Sequence, residues 1–254
     1  MKEQKPKIAI IGLTSCEGCE FALLDLGHDF LDFIKQVDLA EFRLLEEEFN
    51  HNTYYDLCFI EGSPITKANV ELLKTARQKS KYLIALGNCA AMGGIHEIKN
   101  YHDKKKVKEY IYGKDSKVAN PDIKEIDNYV KVDFTIRGCP ITGLEFLQIA
   151  YNLLRENRTK LIARPVCYEC QKNGLTCLLQ KGEPCLGPII QGGCNAICLK
   201  SKMPCQGCRG LFAGAQVDTL IKKLNKDFGD QRINSVLEIF GLRDEVEGHL
   251  KSII

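Results

Sequence analysis

Residues 7–20 read KIAIIGLTSCEGCE, an unbroken apolar run from Lys7 to Leu13 that passes straight into a turn holding Cys16 and Cys19. A short β-branched run of this kind, bounded by Pro6 and by a turn of glycine and cysteine, predicts a strand buried on both faces. A helix is expected next, over 20–36, with Phe21, Leu24, His28, Leu31 and Ile34 on its inner stripe and Gly27 as its weak point.

Four further runs follow outward from this one: EFRLL (41–45), YDLCFIEG (55–62), KYLIALG (81–87) and YVKVDFTIRG (129–138), with helical patterns at Lys67–Lys79 and Thr142–Glu156. Strands alternating with helices predict an α/β fold built on a doubly wound parallel sheet, whose ligands collect outside the carboxyl ends of the strands. Cysteines occupy those ends. Cys16 and Cys19 follow the first strand, Cys89 the fourth and Cys139 the fifth, each among small residues (SCEGCE, GNCAAMGG, RGCPITG). Glycines in such turns let backbone amides approach sulfur, as a four-thiolate cubane site requires. Cys58, between Leu57 and Phe59 inside the third run, reads as core instead.

The stretch 95–128 is charged and weakly periodic, an excursion from the sheet read as a solvated surface segment, with partner docking as the alternative. Beyond Arg155 the texture changes, and a first domain over 1–156 gives way to a smaller, irregular one over 157–254. Eight cysteines follow one another as Cys167-x2-Cys170-x6-Cys177-x7-Cys185-x8-Cys194-x3-Cys198-x6-Cys205-x2-Cys208. Eight ligands make two four-ligand sites, and bound metal is expected to supply much of this segment's folding free energy. Paired C-x2-C elements also build tetrahedral zinc sites, so zinc competes on chemistry. It leaves the cysteines of the first domain unexplained. From Ala215 to Ile254 helical periodicity resumes, through Val217, Leu220 and Leu224 and later from Val236 to Leu242.

With 254 residues, 44% of them hydrophobic, the chain can bury one sizeable core and carry a second domain. Its 35 basic and 33 acidic side chains nearly cancel, which gives no field for nucleic acid or an acidic membrane. No apolar run approaches the roughly 18 residues of a membrane span. The start, MKEQKPKIAIIGL, has neither a secretory signal nor a twin-arginine motif. A cytoplasmic address is expected, where thiols stay reduced and thirteen cysteines point to metal sooner than to disulfides. No phosphate loop and no dinucleotide glycine fingerprint is present, and the turn where flavodoxin-like proteins cradle phosphate is filled by cysteine.

The motifs SCEGCE, GNCA, RGCP, PCLGPIIQGGCNAIC and PCQGC together resemble the small subunits of cytoplasmic nickel-iron hydrogenases, nearest to the heterodisulfide-reductase-associated (F420-non-reducing) and sulfhydrogenase delta types. The resemblance runs from Ile8 to about Gly214 and implies a flavodoxin-like first domain followed by an iron-sulfur domain. It implies three 4Fe-4S clusters: a proximal one on Cys16, Cys19, Cys89 and Cys139, a medial one on Cys194, Cys198, Cys205 and Cys208, and a distal one on Cys167, Cys170, Cys177 and Cys185. The implied partners are a large subunit housing the nickel-iron site and a further electron-transfer subunit carrying flavin or iron-sulfur. No catalytic residue falls on this chain. Periplasmic members usually have a histidine where Cys167 stands and a proline where Cys198 stands, and thiolate at both positions implies lower potentials. Near the ligands, Arg137, Arg164, Lys200, Lys202 and Arg209 could offset cluster charge, and Glu17 and Glu61 could serve the large-subunit interface; ordinary surface charge is the alternative for each. The related quinone-reductase small subunits are disfavoured, since they typically have adjacent cysteines at the first motif and lack the eight-cysteine segment. A cysteine-rich interaction module, on zinc or iron-sulfur, is the alternative from another class.

Overall fold

The computed structural model describes residues 5–45, 53–117, 119, 121–157 and 162–251. They form two compact units, Met1–Gly93 with Ile123–Lys160, and Gly94–Asp122 with Leu161–Ile254. The charged stretch does leave the sheet, as expected, and over residues 94–122 it groups with the second unit.

The first unit opens with β1 (Lys7–Gly12), α1 (Gly18–Leu24), α2 (His28–Gln36), β2 (Asp38–Phe42), β3 (Tyr55–Glu61), α3 (Lys67–Gln78), β4 (Ser80–Leu86) and α4 (Asn88–Met92). The chain then enters the second unit through a 3-10 stretch (Gly94–Tyr101) and α5 (Lys104–Tyr112), and returns for β5 (Phe134–Ile136) and α6 (Gly143–Leu154). The five strands are all parallel in the order β2-β1-β3-β4-β5, the doubly wound, flavodoxin-like arrangement. Alternate residues serve the two faces. Ile8, Ile10, Leu57, Phe59, Ile84 and Leu86 pack with Leu23, Phe30, Phe33 and Phe146 on one side, while Ala9, Ile11, Cys58, Ile60, Leu83 and Ala85 pack with Leu73 and Ala76 on the other.

Three local expectations are corrected. The helix expected over 20–36 breaks at Gly27, which takes φ 55, and the break resets the buried stripe to Leu23, Phe30 and Phe33 while Phe21 and Leu31 face solvent. The second strand lies at Asp38–Phe42 in place of 41–45. Its polar Glu41 is buried because the Tyr55 hydroxyl donates to it at 2.9 Å, a pairing that apolar pattern cannot reveal. The fifth strand is confined to Phe134–Ile136, with Tyr129, Val130 and Val132 packed beside the sheet as irregular chain.

In the second unit, α7 (Val166–Lys172) and α8 (Ile197–Lys200) are short, and α9 (Val217–Phe228), α10 (Asp230–Glu238) and α11 (Leu242–Lys251) form the tail. The anticipated stripe of Val217, Leu220 and Leu224 is buried. Extended pieces tie the cysteine segment together: Val166 N–H donates to Ile190 O (2.9 Å), Gln191 N–H to Gly210 O (3.0 Å) and Phe212 N–H to Ile189 O (3.1 Å). Val166, Leu186, Ile189, Ile190 and Leu199 are buried among them, so this segment has more apolar core than its composition suggests. α5 buries none of its residues. Among the described residues, no helix is long and apolar enough to cross a membrane.

Candidate functional site

At the carboxyl edge of the sheet, the loops after β1 and β3 are stitched by Thr14 and Ser63, each N–H donating to the other's carbonyl at 3.3 and 2.9 Å. Between them Glu17 takes φ 60 and α1 starts, with Cys19 in its first turn. Glu61, 2% exposed, accepts the N–H groups of Cys19 and Glu20, both at 3.2 Å. A carboxylate at a helix start satisfies donors that have no partner within the helix, so Glu61 fixes the turn that presents Cys19. It is not a solvated surface charge.

After β4, Gly87 at φ 83 leads into α4 and Cys89. The buried Ser63 hydroxyl lies 3.1 Å from Cys89 O and 3.2 Å from Gly93 O, its one proton shared between them. Gly87 N–H and Asn88 N–H donate to Ile136 O (2.8 Å) and Gly138 O (2.9 Å), which ties this turn to the one carrying Cys139. The Cys139–Pro140 peptide is cis.

These turns gather four thiols. Burial pushes the Cys19 thiol up, and the charges of Glu61, Cys139 and Cys89 push it the same way, against the Ile141 N–H that reaches its sulfur. Burial, Cys16 and Glu61 likewise raise Cys139. Glu20 is pushed up to about 8 by burial, then by Glu61 and Glu17. Such a crowd of acidic groups can ionise together only against strong positive charge, which thiolate-bound iron supplies. The fit is also steric: a Cβ on Gly87 would stand 2.3 Å from Cys19 Sγ. Cys16 and Cys139 are exposed. Cys58 is fully buried in the sheet, its thiol pushed up to about 12 by burial and then by Glu41.

In the second unit, Cys167 and Cys170 lie on α7, and burial together with Cys185, Cys170 and Cys177 pushes Cys167 up to about 12. Cys170 responds to burial, Cys185 and Cys177. Cys167, Cys170, Cys177 and Cys185 are thereby neighbours. Burial also raises Cys205, which feels Cys185, Cys208 and Cys194. Cys185 touches both sets, since it feels Cys177 and Cys198 and its sulfur accepts the Cys205 N–H at 3.3 Å. Amides reach other sulfurs too: Gly187 that of Cys185, Ala196 and Ile197 that of Cys194, and Gly207 that of Cys205. Hydrogen bonds of this kind are a recognised lever on cluster potential. At Gly187 a Cβ would come within 3.3 Å of Cys167 Sγ and 3.5 Å of Cys185 Sγ. Among the described residues no three His, Cys, Asp or Glu side chains converge tightly enough to hold a single metal ion; a cubane takes its thiolates around a larger core.

Of the cations near the ligands, Arg209 is 1% exposed. Arg164 stacks on Tyr168 at 4.5 Å, and Lys200 and Lys202 are exposed. Sequence reasoning missed Glu20, Ser63 and Glu169. Only Glu169 carried a local signal, a carboxylate inside a C-x2-C pair, and its partners lie more than twenty residues away.

The family model described as "NADH ubiquinone oxidoreductase, 20 Kd subunit" matches residues 16–153. That span holds only the first four candidate ligands, whereas two relatives extend across the cysteine-rich segment. The delta subunit of sulfhydrogenase 2 from Pyrococcus furiosus is 34% identical over 92% of this chain and 98% of its own length. A subunit of the vhu F420-non-reducing hydrogenase from Methanocaldococcus jannaschii is 30% identical over 80% and 81% respectively. Among solved structures, a reduced, active Ni-Fe-Se hydrogenase from Desulfomicrobium baculatum shares the fold at a TM-score of 0.58 and 15% identity, over 81% of this chain and 94% of that one. An NAD+-reducing NiFe-hydrogenase in the H2-reduced state does so at 0.55 and 24%, over 62% and 95%. Sheet order, cysteine-bearing turns and these likenesses agree: the chain belongs to the NADH ubiquinone oxidoreductase 20 kDa subunit family, as a small subunit of a hydrogenase.

Proposed function

We propose that this chain relays electrons in a cytoplasmic nickel-iron hydrogenase, between the nickel-iron site of a large-subunit partner and a further flavin or iron-sulfur subunit. Three 4Fe-4S clusters would be held, proximal on Cys16, Cys19, Cys89 and Cys139, medial on Cys194, Cys198, Cys205 and Cys208, and distal on Cys167, Cys170, Cys177 and Cys185. When bound, such clusters take up and release single electrons. The observation that carries this reading is the clustering of thiols with backbone amides aimed at their sulfurs. The chain's own contribution is to bury Cys19, Cys170, Cys185 and Cys205, to fix the turns of Cys19 and Cys89 through Glu61 and Ser63, and to leave Cys16 and Cys139 exposed where a partner can approach. The two domains expected, 1–156 and 157–254, would divide the proximal site from the other two.

Anaerobically purified protein should be brown and carry about twelve iron atoms per chain, from three four-iron sites. Three zinc ions with negligible iron or sulfide, after iron-replete anaerobic expression, would reject the relay in favour of a zinc-stabilised module.

The division of the eight later cysteines is tested at Cys198, because Cys185 stands within reach of both sets. Cys198→Pro should convert the medial site to a three-iron cluster. Losing a thiolate and an iron raises the potential, and each 59 mV is about a tenfold bias in a one-electron equilibrium. An electron trapped at the medial site should slow hydrogen production more than uptake. Three intact four-iron clusters, with no three-iron signal in the oxidised variant, would show that Cys198 is no ligand.

A further inference from the structure

Glu169 lies between two distal cysteines in sequence, yet its carboxylate serves the loop of the other set. Its Oε1 accepts the Gly193 N–H at 2.5 Å, and its Oε2 accepts the Ala196 N–H at 3.1 Å and lies 3.8 Å from Cys194 Sγ. One turn further along α7, Asn173 Nδ2 donates to Asn195 Oδ1 at 2.9 Å. α7 therefore grips the Cys194 loop at three points. The loop needs gripping, because Gly193, Asn195 and Ala196 stand at φ 119, 55 and 51, and left-handed residues persist only where their surroundings over-determine them.

Arg209 meets the same loop. Its Nε donates to Gly192 O at 2.9 Å and to Gln191 O at 3.3 Å, and a Cβ on Gly193 would stand 2.6 Å from Nη2. The guanidinium is buried, where charges act on one another far more strongly than in water. A carboxylate and a guanidinium thus bracket Cys194.

Resting on the medial cluster proposed above, we infer that Glu169 and Arg209 are positioning residues for Cys194 whose opposite charges also set the medial potential in opposite directions. Glu169 holds the loop while opposing the arrival of an electron; Arg209 holds the loop while favouring it.

The test is an EPR-monitored redox titration of the intact hydrogenase complex, with iron content measured in parallel. Glu169→Gln keeps the shape and removes the negative charge, so the medial midpoint should rise by at least 59 mV, tenfold in the one-electron equilibrium. Arg209→Gln removes the positive charge, and the midpoint should fall by as much. A role in packing alone would loosen the loop in both variants without this split. Shifts of the same sign, or none in either variant at full iron content, overturn the inference. Should Arg209→Gln assemble no medial cluster, Arg209→Lys decides the matter, since it keeps the charge and loses the fork. A cluster restored near the parent potential supports the assignment, and iron still missing overturns it. If the unsubstituted complex shows no four-iron medial signal, the cluster reading falls and takes this inference with it.

Discussion

Gly87→Ala is expected to strip the proximal site, lowering iron from about twelve to about eight atoms per chain while the other two clusters remain. The added methyl would sit 2.3 Å from Cys19 Sγ, far inside van der Waals contact. The backbones are held, so relief requires the Cys19 side chain to swing its sulfur out of the site. Gly87 is pinned by its N–H bond to Ile136 O, and Cys19 by the bond from its N–H to Glu61. The substitution also forces a side chain into φ 83 with ψ 171, a region essentially confined to glycine, which costs on the order of 1–3 kcal/mol. Gly229 separates the two effects, because it too stands at φ 83 and has nothing within 4 Å of its missing Cβ. Gly229→Ala should therefore keep all its iron. Full proximal signals in Gly87→Ala would mean that Cys19 is not a ligand.

Stripping iron from the whole protein should have a larger effect on structure, and an uneven one. Hydrogen exchange over 167–208 should lose its protection, while β1, β3 and β4 keep theirs. The strands have two apolar faces of their own, with Ile8, Ile10, Phe59, Ile60, Leu83 and Ile84 completely buried. The cysteine segment has a smaller core and stores strain at Asn195, Ala196 and Lys202, all at positive φ. Eight thiols drawn together are favourable only while metal holds them, so binding energy and folding energy are the same quantity there. The helices α9, α10 and α11 should lie between these extremes, since Leu220, Leu224, Ile233, Leu237 and Val246 form buried stripes independent of sulfur. Equal protection in strands and cysteine segment after chelation would contradict this division.

The sheet was legible because both of its faces are apolar, so KIAIIGL and KYLIALG announce themselves in any window. Elements whose register depends on a polar partner far along the chain were not. β2 was misplaced for want of the Tyr55–Glu41 pair, and the stripe on α1 and α2 was misjudged because one glycine changes the phase of everything after it. Grouping residues 94–122 with the second unit was equally invisible, for nothing in a charged stretch names what it packs against. The candidate ligands were legible as cysteines, and the groups that hold them were not. The capping of α1 by Glu61 joins residues more than forty apart, which no local pattern signals. Glu169 went unnoticed because its partners, Gly193 and Ala196, supply only backbone.

In the first unit the four candidate ligands ride on the ends of three strands: Cys16 and Cys19 after β1, Cys89 after β4 and Cys139 after β5. Position is then set by the sheet and is independent of how much chain runs between one cysteine and the next. Residues 94–122 exploit this freedom, entering after Cys89 and returning before β5 as part of another folding unit. Such a site tolerates insertion. Over evolutionary time the intervening segments could lengthen, shorten or be exchanged to suit new partner proteins without moving a sulfur. The second unit has no such licence, because there the short spacers are themselves the scaffold.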